Sequence, residues 1–179
     1  DGGTSNIAYA DITITPVNDA PINTVPGTLT VLEDTTTLIT GLSINDADAA
    51  NSEVTTRLQV TAGVLNVTLS GSASITVGAN SSSDLTLQGT IADINATLSS
   101  LTYTSNSNIN GVAADTLTVS TNDLGNTGSG GALQDVDAIQ IDITAVNDAP
   151  VLGAGAVNNL TVNEDSGLTS LGLAGIAYS

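Results

Sequence analysis

Histidine, cysteine, lysine, methionine, phenylalanine and tryptophan are all missing from this 179-residue chain, and arginine occurs once, at Arg57. Each absence removes a class of chemistry. Without His, Cys or Lys the chain cannot build a Ser-His-Asp triad, a cysteine nucleophile, a Schiff base, or a zinc site of thiolates and imidazoles. Without cysteine it draws no stability from disulfides. One basic residue against 18 acids gives a formal net charge of −17. Phosphate backbones repel such a surface, so nucleic acid is excluded as a partner. No apolar run approaches the ~20 residues that cross a bilayer, so no membrane insertion is expected in this segment. Asp1-Gly2-Gly3 does not read as a signal peptide. The three aromatics are Tyr9, Tyr103 and Tyr178, too few to offer stacking platforms for sugars.

What is present is Thr, Val, Ile and Leu in alternation. Acidic disordered chains are poor in β-branched residues; this one is rich in them, and its mean hydropathy is +0.25. Charged residues make up only 11%, so the acids lie in short clusters between apolar runs. An ordered β-protein with a few dense anionic spots is expected.

The chain repeats itself. Val17-Asn18-Asp19-Ala20-Pro21 returns as Val146-Asn147-Asp148-Ala149-Pro150, and Thr30-Val31-Leu32-Glu33-Asp34 as Thr161-Val162-Asn163-Glu164-Asp165. Ile12-Thr13-Ile14-Thr15 matches Ile141-Asp142-Ile143-Thr144 in character. Paired motifs in the same order mark a tandem array. The expected organisation is the last strand of a preceding repeat in 1–19, one complete repeat in 20–148, and the start of a third in 149–179. Within the complete repeat, period-two runs at 28–32, 38–44, 58–60, 64–69, 75–77, 85–87, 117–119 and 139–143 read as strands. Gly125 to Gly131 reads as a flexible loop. Ile91, Ile94, Leu98 and Leu101 follow a helical spacing, with Thr90 as N-cap and Asp93 in the first turn, so one short helix is expected near 91–100. The fold class is therefore all-β, an antiparallel β-sandwich with one short helix, forming part of a tandem array.

Strand direction then places the acids. The strand at 28–32 runs away from the first linker and that at 38–44 returns. An N-terminal pole gathers Asn18, Asp19, Asp46, Asp48 and Asp123, with Asp135 and Asp137 as further candidates. A C-terminal pole gathers Glu33, Asp34, Asn147 and Asp148, and Glu164 and Asp165 would serve the following junction. Clustered carboxylates are costly unless a cation neutralises them. With one arginine and no lysine, the cation must come from solution. Oxygen-only donors in loops favour Ca²⁺. The plain alternatives are turn chemistry for Asn-Asp-Ala-Pro and a solvated loop for Asp46-Ala47-Asp48. Asp84, Asp93 and Asp115 read as caps or solvated residues, and Arg57 as a surface residue. Asn66-Val67-Thr68 and Asn95-Ala96-Thr97 match the N-glycosylation pattern.

These motifs resemble known families. Asn147-Asp148-Ala149-Pro150 is similar to the linker of cadherins and bacterial cadherin-like repeats, and Glu33 and Asp46-Ala47-Asp48 resemble their calcium ligands. The block from Gly89 to Asn95 and on through Leu101-Thr102-Tyr103-Thr104 resembles the extender repeats of giant RTX-type adhesins. The resemblance implies an immunoglobulin- or cadherin-like sandwich on a bacterial surface or secreted from it. Its role would be a structural extender of an adhesin or filament, stiffened by Ca²⁺ at the junctions and not an enzyme. Its partners would be neighbouring repeats or other copies of the protein. Two further expectations are self-assembly by strand addition between copies and direct binding of carbohydrate or ice.

Overall fold

Period-two alternation in the long strands decides the architecture. In β5 (Glu53–Gln59), β8 (Asp84–Thr90) and the later half of β10 (Gly111–Asn122), every second residue is buried. Leu58, Leu85, Leu87, Leu117 and Val119 all face inward, and each such side chain contributes about 1.5–3 kcal/mol on leaving water. The computed structural model describes residues 2–3, 8–126, 128–150, 152–154, 161, 163–165, 167 and 177–178. They fall into two compact units, Asp1–Ala145 and Val146–Ser179.

The first unit is mostly β, with sheets in a sandwich-like arrangement and a single short helix among the described residues. Its large sheet has six strands in the order β2 (Leu29–Leu32), β11 (Gln134–Thr144), β10, β5, β8 and β7 (Ser74–Val77). All neighbours are antiparallel except β2 and β11, which run parallel from the Leu29–Ile141 pair to the Leu32–Thr144 pair. A three-stranded sheet holds β3 (Thr37–Leu38), β9 (Thr102–Ser105) and β6 (Gly63–Asn66). A separate pair joins β1 (Ile22–Thr24) to β4 (Ser43–Asn45).

The core is aliphatic, as a chain without Phe or Trp requires, with Tyr103 the one buried aromatic among the described residues. Gly63 is needed beneath that ring, because a Cβ there would lie 2.3 Å from Cε2 of Tyr103.

Helix α1 (Ile91–Leu98) follows β8 without a loop. Thr90 is its N-cap, the hydroxyl accepting from the Asp93 amide, and Ile94, Thr97 and Leu98 are its buried residues. The side chain of Asn95 pins the helix to β4 through both backbone groups of Ile44, at 2.8 and 2.9 Å.

Several boundaries differ from the sequence reading. The 38–44 run is two strands in different sheets, because Gly41 (φ +81°) turns the chain between them. The run from Val64 ends as a strand at Asn66, after which the amides of Val67 and Thr68 bond to Asn80 and Ser100 side chains. Strand β10 begins at Gly111, well before Leu117, with a register shift between Gly111 and Asp115. Residues 8–15 form no strand, and Tyr9, Ile12 and Ile14 lie on the surface.

The second unit contains β12 (Leu152–Ala154) paired antiparallel with β13 (Ala177–Tyr178). Its Asp165 takes φ +63° in a turn, as Asp34 does at φ +57° in the first unit.

Candidate functional site

The segment Pro16–Asp19 is held by the loop from Gly125 to Gly131. The Asn18 amide donates to Ser129 O and the Ser129 amide to Pro16 O, both at 3.0 Å. Gly128 is at φ +84°, and a Cβ there would stand 2.5 Å from the Asn18 nitrogen. Only glycine permits that approach. The loop that composition reads as flexible is thus a clamp whose glycines let backbone meet backbone. Asn18 Nδ2 donates to Asp123 Oδ2 and, at 2.9 Å, to Gly131 O.

Asp46 and Asp48 arrive from the other side, in the turn after β4. Asp46 Oδ1 accepts the amides of Asp48 and Ala49, each at 3.0 Å. The Asp19 amide donates to Asp48 Oδ2 at 3.0 Å. Asp123 Oδ1 accepts from Leu133 and Gly125 at 2.7 and 2.9 Å. Asn18, Asp46 and Asp123 are buried, and Asp48 is half-buried. Asn18 Oδ1 and Asp46 Oδ2 are buried without a hydrogen-bond partner.

The electrostatics split the carboxylates. Burial, together with the neighbouring Asp48 carboxylate, raises the pKa of Asp46, although the amides of Asp48 and Ala49 oppose the rise. Asp123 is also pushed up by burial, but the amides of Leu133 and Gly125 and the Asn18 side chain outweigh this and hold it low. The Asp48 charge bears on both. Asp46 is therefore less at ease as an anion than Asp123.

The other residues singled out by sequence divide as follows. Asp135 accepts from the Asn23 amide at 2.7 Å, tying β11 to β1. Asp137 is half-buried, opposite Val119 in the β10–β11 register. Glu33 is buried at the opposite pole, where its carboxylate accepts from Asn110 Nδ2 at 3.2 Å and its amide donates to Thr144 O at 3.0 Å. Asp34 is exposed beside it in sequence. Asn147, Asp148, Glu164 and Asp165 are exposed residues of the second unit. Among the described residues, no group of three or more acids is arranged to hold a metal ion as it stands.

Sequence reasoning missed Asp115. It is not a solvated residue but a buried one, 2% exposed. Its carboxylate accepts from the Thr61 amide and hydroxyl, the Ala62 and Thr116 amides, and the Tyr103 hydroxyl. Burial pushes its pKa up, yet these donors together hold it low. The signal was available: Asp115 shares the parity of Leu117 and Val119, so period two turns it inward. Asp84 pairs with Arg57 across β5 and β8. Asp93 receives the Ser72 amide and hydroxyl as well as lying in the helix start. Of the two glycosylation patterns, Asn95 is occupied by Ile44, while Asn66 accepts from the Ser81 hydroxyl.

Comparison with known proteins overturns the expected resemblance. Residues 41–129, just under half of the chain, match the model of the Protein GAMETE EXPRESSED 2 domain (GEX2). No curated protein matches, and no solved structure matches. The resemblance to cadherin-like repeats of bacterial RTX-type adhesins is overturned by this match. With it fall the calcium-stiffened adhesin stalk, the strand-adding filament, the carbohydrate- or ice-binding repeat, and the biofilm setting. The physical reason is plain. Asn-Asp-Ala-Pro and Glu-Asp are turn and linker chemistry available to any array of sandwiches, so they report a fold and not a lineage. An extracellular-type setting stands with the match; a bacterial one does not. Among the described residues no helix is long and apolar enough to cross a membrane.

Proposed function

We propose that this chain is a non-catalytic β-sandwich module of the extracellular type, comparable to the Protein GAMETE EXPRESSED 2 domain, that makes contacts with protein. Its partners are other segments of its own parent chain or other copies of it. At its N-terminal pole it takes up one hard divalent cation, for which Ca²⁺ is the best match, held by Asn18, Asp46, Asp48 and Asp123. The observation that carries this reading is the pair of buried, unpartnered oxygens, Asp46 Oδ2 and Asn18 Oδ1. Buried acceptors without donors are rare and costly, and an oxygen-only donor set suits a hard cation. Asn18 and Asp19 are held by the same side chains, so an ion there would also order Pro16–Asp19. The chain's lack of His, Cys and Lys leaves little for catalysis to use.

The test is thermal unfolding of the whole chain with Ca²⁺, with Mg²⁺ and with chelator. A Kd of ~10⁻³ M, usual for extracellular modules, implies a rise of about 3–6 °C in tenfold excess. Asp46→Asn should abolish that rise and the heat of Ca²⁺ binding. Equal melting temperatures in Ca²⁺ and chelator, with no binding heat, would sink the cation site while leaving the module reading intact.

A further inference from the structure

Asn110-Gly111 is the one Asn-Gly step in the sequence. It sits at the C-terminal pole, in the turn that leads into β10. Asn110, Gly111, Val112 and Ala113 are all exposed. Gly111 is at φ +127°, and nothing lies within 4 Å of the place a Cβ would occupy. Asn108 and Ala113, on either side, also have positive φ, and the β10–β11 register shifts just after Gly111. An asparagine followed by an unhindered glycine is open to attack by its own backbone. The tight, irregular chain here is one that only glycine adopts freely. The Asn110 carboxamide is not idle: its Nδ2 donates to the carboxylate of Glu33, which is 3% exposed.

We propose that Asn110 is a site of spontaneous deamidation, and that the product loosens the pole where β2 and β11 end. The Gly111 nitrogen, losing its proton to hydroxide, forms a bond to Cγ of Asn110. The Cγ–Nδ2 bond breaks and ammonia leaves. Water then opens the succinimide at one carbonyl or the other, giving aspartate or isoaspartate. No oxidant or cofactor takes part. The aspartate product replaces a hydrogen-bond donor by a second carboxylate facing the buried Glu33; the isoaspartate product loses the same donor, lengthens the main chain by one methylene and carries its free carboxylate on Cα. Two like charges in partly desolvated surroundings oppose each other strongly. Glu33 is also the residue whose amide holds Thr144 O, so the strain falls on the last rung of the β2–β11 pair.

The experiment incubates the purified full chain at mildly alkaline pH and 37 °C, with peptide mapping and enzymatic isoaspartate assay at intervals. A sample unfolded in urea runs in parallel. Asn110 should convert before every other asparagine in the folded sample. Asn110→Asp should lower the melting temperature at neutral pH by about 2–6 °C, and the gap should close in acid, where the new carboxylate is neutral. Asn110→Gln keeps the donor, and should resist conversion while melting within a degree or so of the parent. Two results would overturn the proposal. One is an Asn110 that stays intact in the fold while the unfolded control converts. The other is an Asn110→Asp protein that melts like the parent at neutral pH.

Discussion

Asp115 shows how much one side chain can organise in a chain almost without cations. It satisfies two amides at the end of β5, one on its own strand, and two hydroxyls, all inside the core. A buried carboxylate keeps its charge only when donors surround it. Its pKa is held below the ordinary range, so the linkage sign follows. The stability it contributes is present above the unfolded-state pKa and is lost as pH falls through the lower folded value. Asp123 behaves likewise. Asp46 has the opposite sign: its raised pKa means the fold is penalised as pH climbs through that value. Asp115→Asn should therefore cost about 2–4 kcal/mol at neutral pH, and less below the carboxylate range. Urea denaturation across an acid-to-neutral pH series checks both the size and the convergence.

Helix α1 and its neighbours mark the scale of elements, and here legibility was uneven. The helix was readable because three independent signals agreed: the spacing of Ile91, Ile94 and Leu98, a threonine at the cap, and an acid in the first turn. Thr90→Ala should lower stability by about 1 kcal/mol, read as a shift of the denaturation midpoint without a change of slope. Parity alone located a stretch of each long strand but not its length: β5 runs over Glu53–Gln59 where 58–60 was read, and β10 over Gly111–Asn122 where 117–119 was read. The short ones were not readable: β3 and β4 have two and three residues, too few for a period, and only Gly41 hinted at the break. The parallel pairing of β2 with β11 could not be read either, since parity says which face is buried and nothing about the neighbouring strand. At the candidate site, the gathering of Asn18, Asp46, Asp48 and Asp123 followed from strand direction. The clamp by Gly128 and Ser129 was hidden, because composition cannot tell a glycine that moves from one that lets backbones touch.

Across the whole molecule, charge is the dominant quantity. A net charge of −17 with a single arginine means that repulsion is spread widely and ion pairs are nearly absent. The Arg57–Asp84 pair is half exposed, so screening it forfeits little. Added sodium chloride should therefore raise the melting temperature, where a protein rich in surface ion pairs would be unmoved or weakened. A scan from low to moderate salt at neutral pH, with a non-binding monovalent cation, separates this screening from the uptake of a divalent ion.

The parallel rung between β2 and β11 has a mechanical meaning. Within the first unit the chain reaches β2 from the Asp19 side and ends β11 at Thr144, next to the unit's last residue, Ala145. Tension on the two ends draws β2 toward one pole and β11 toward the other, along the strand axis. Paired strands loaded this way must slip past one another with their hydrogen bonds strained together, from the Leu29–Ile141 pair to the Leu32–Thr144 pair. Antiparallel neighbours pulled from one end would unzip a bond at a time. The unit thus meets a pull along β2 and β11 with shear over a short seam that closes at the Glu33–Thr144 hydrogen bond.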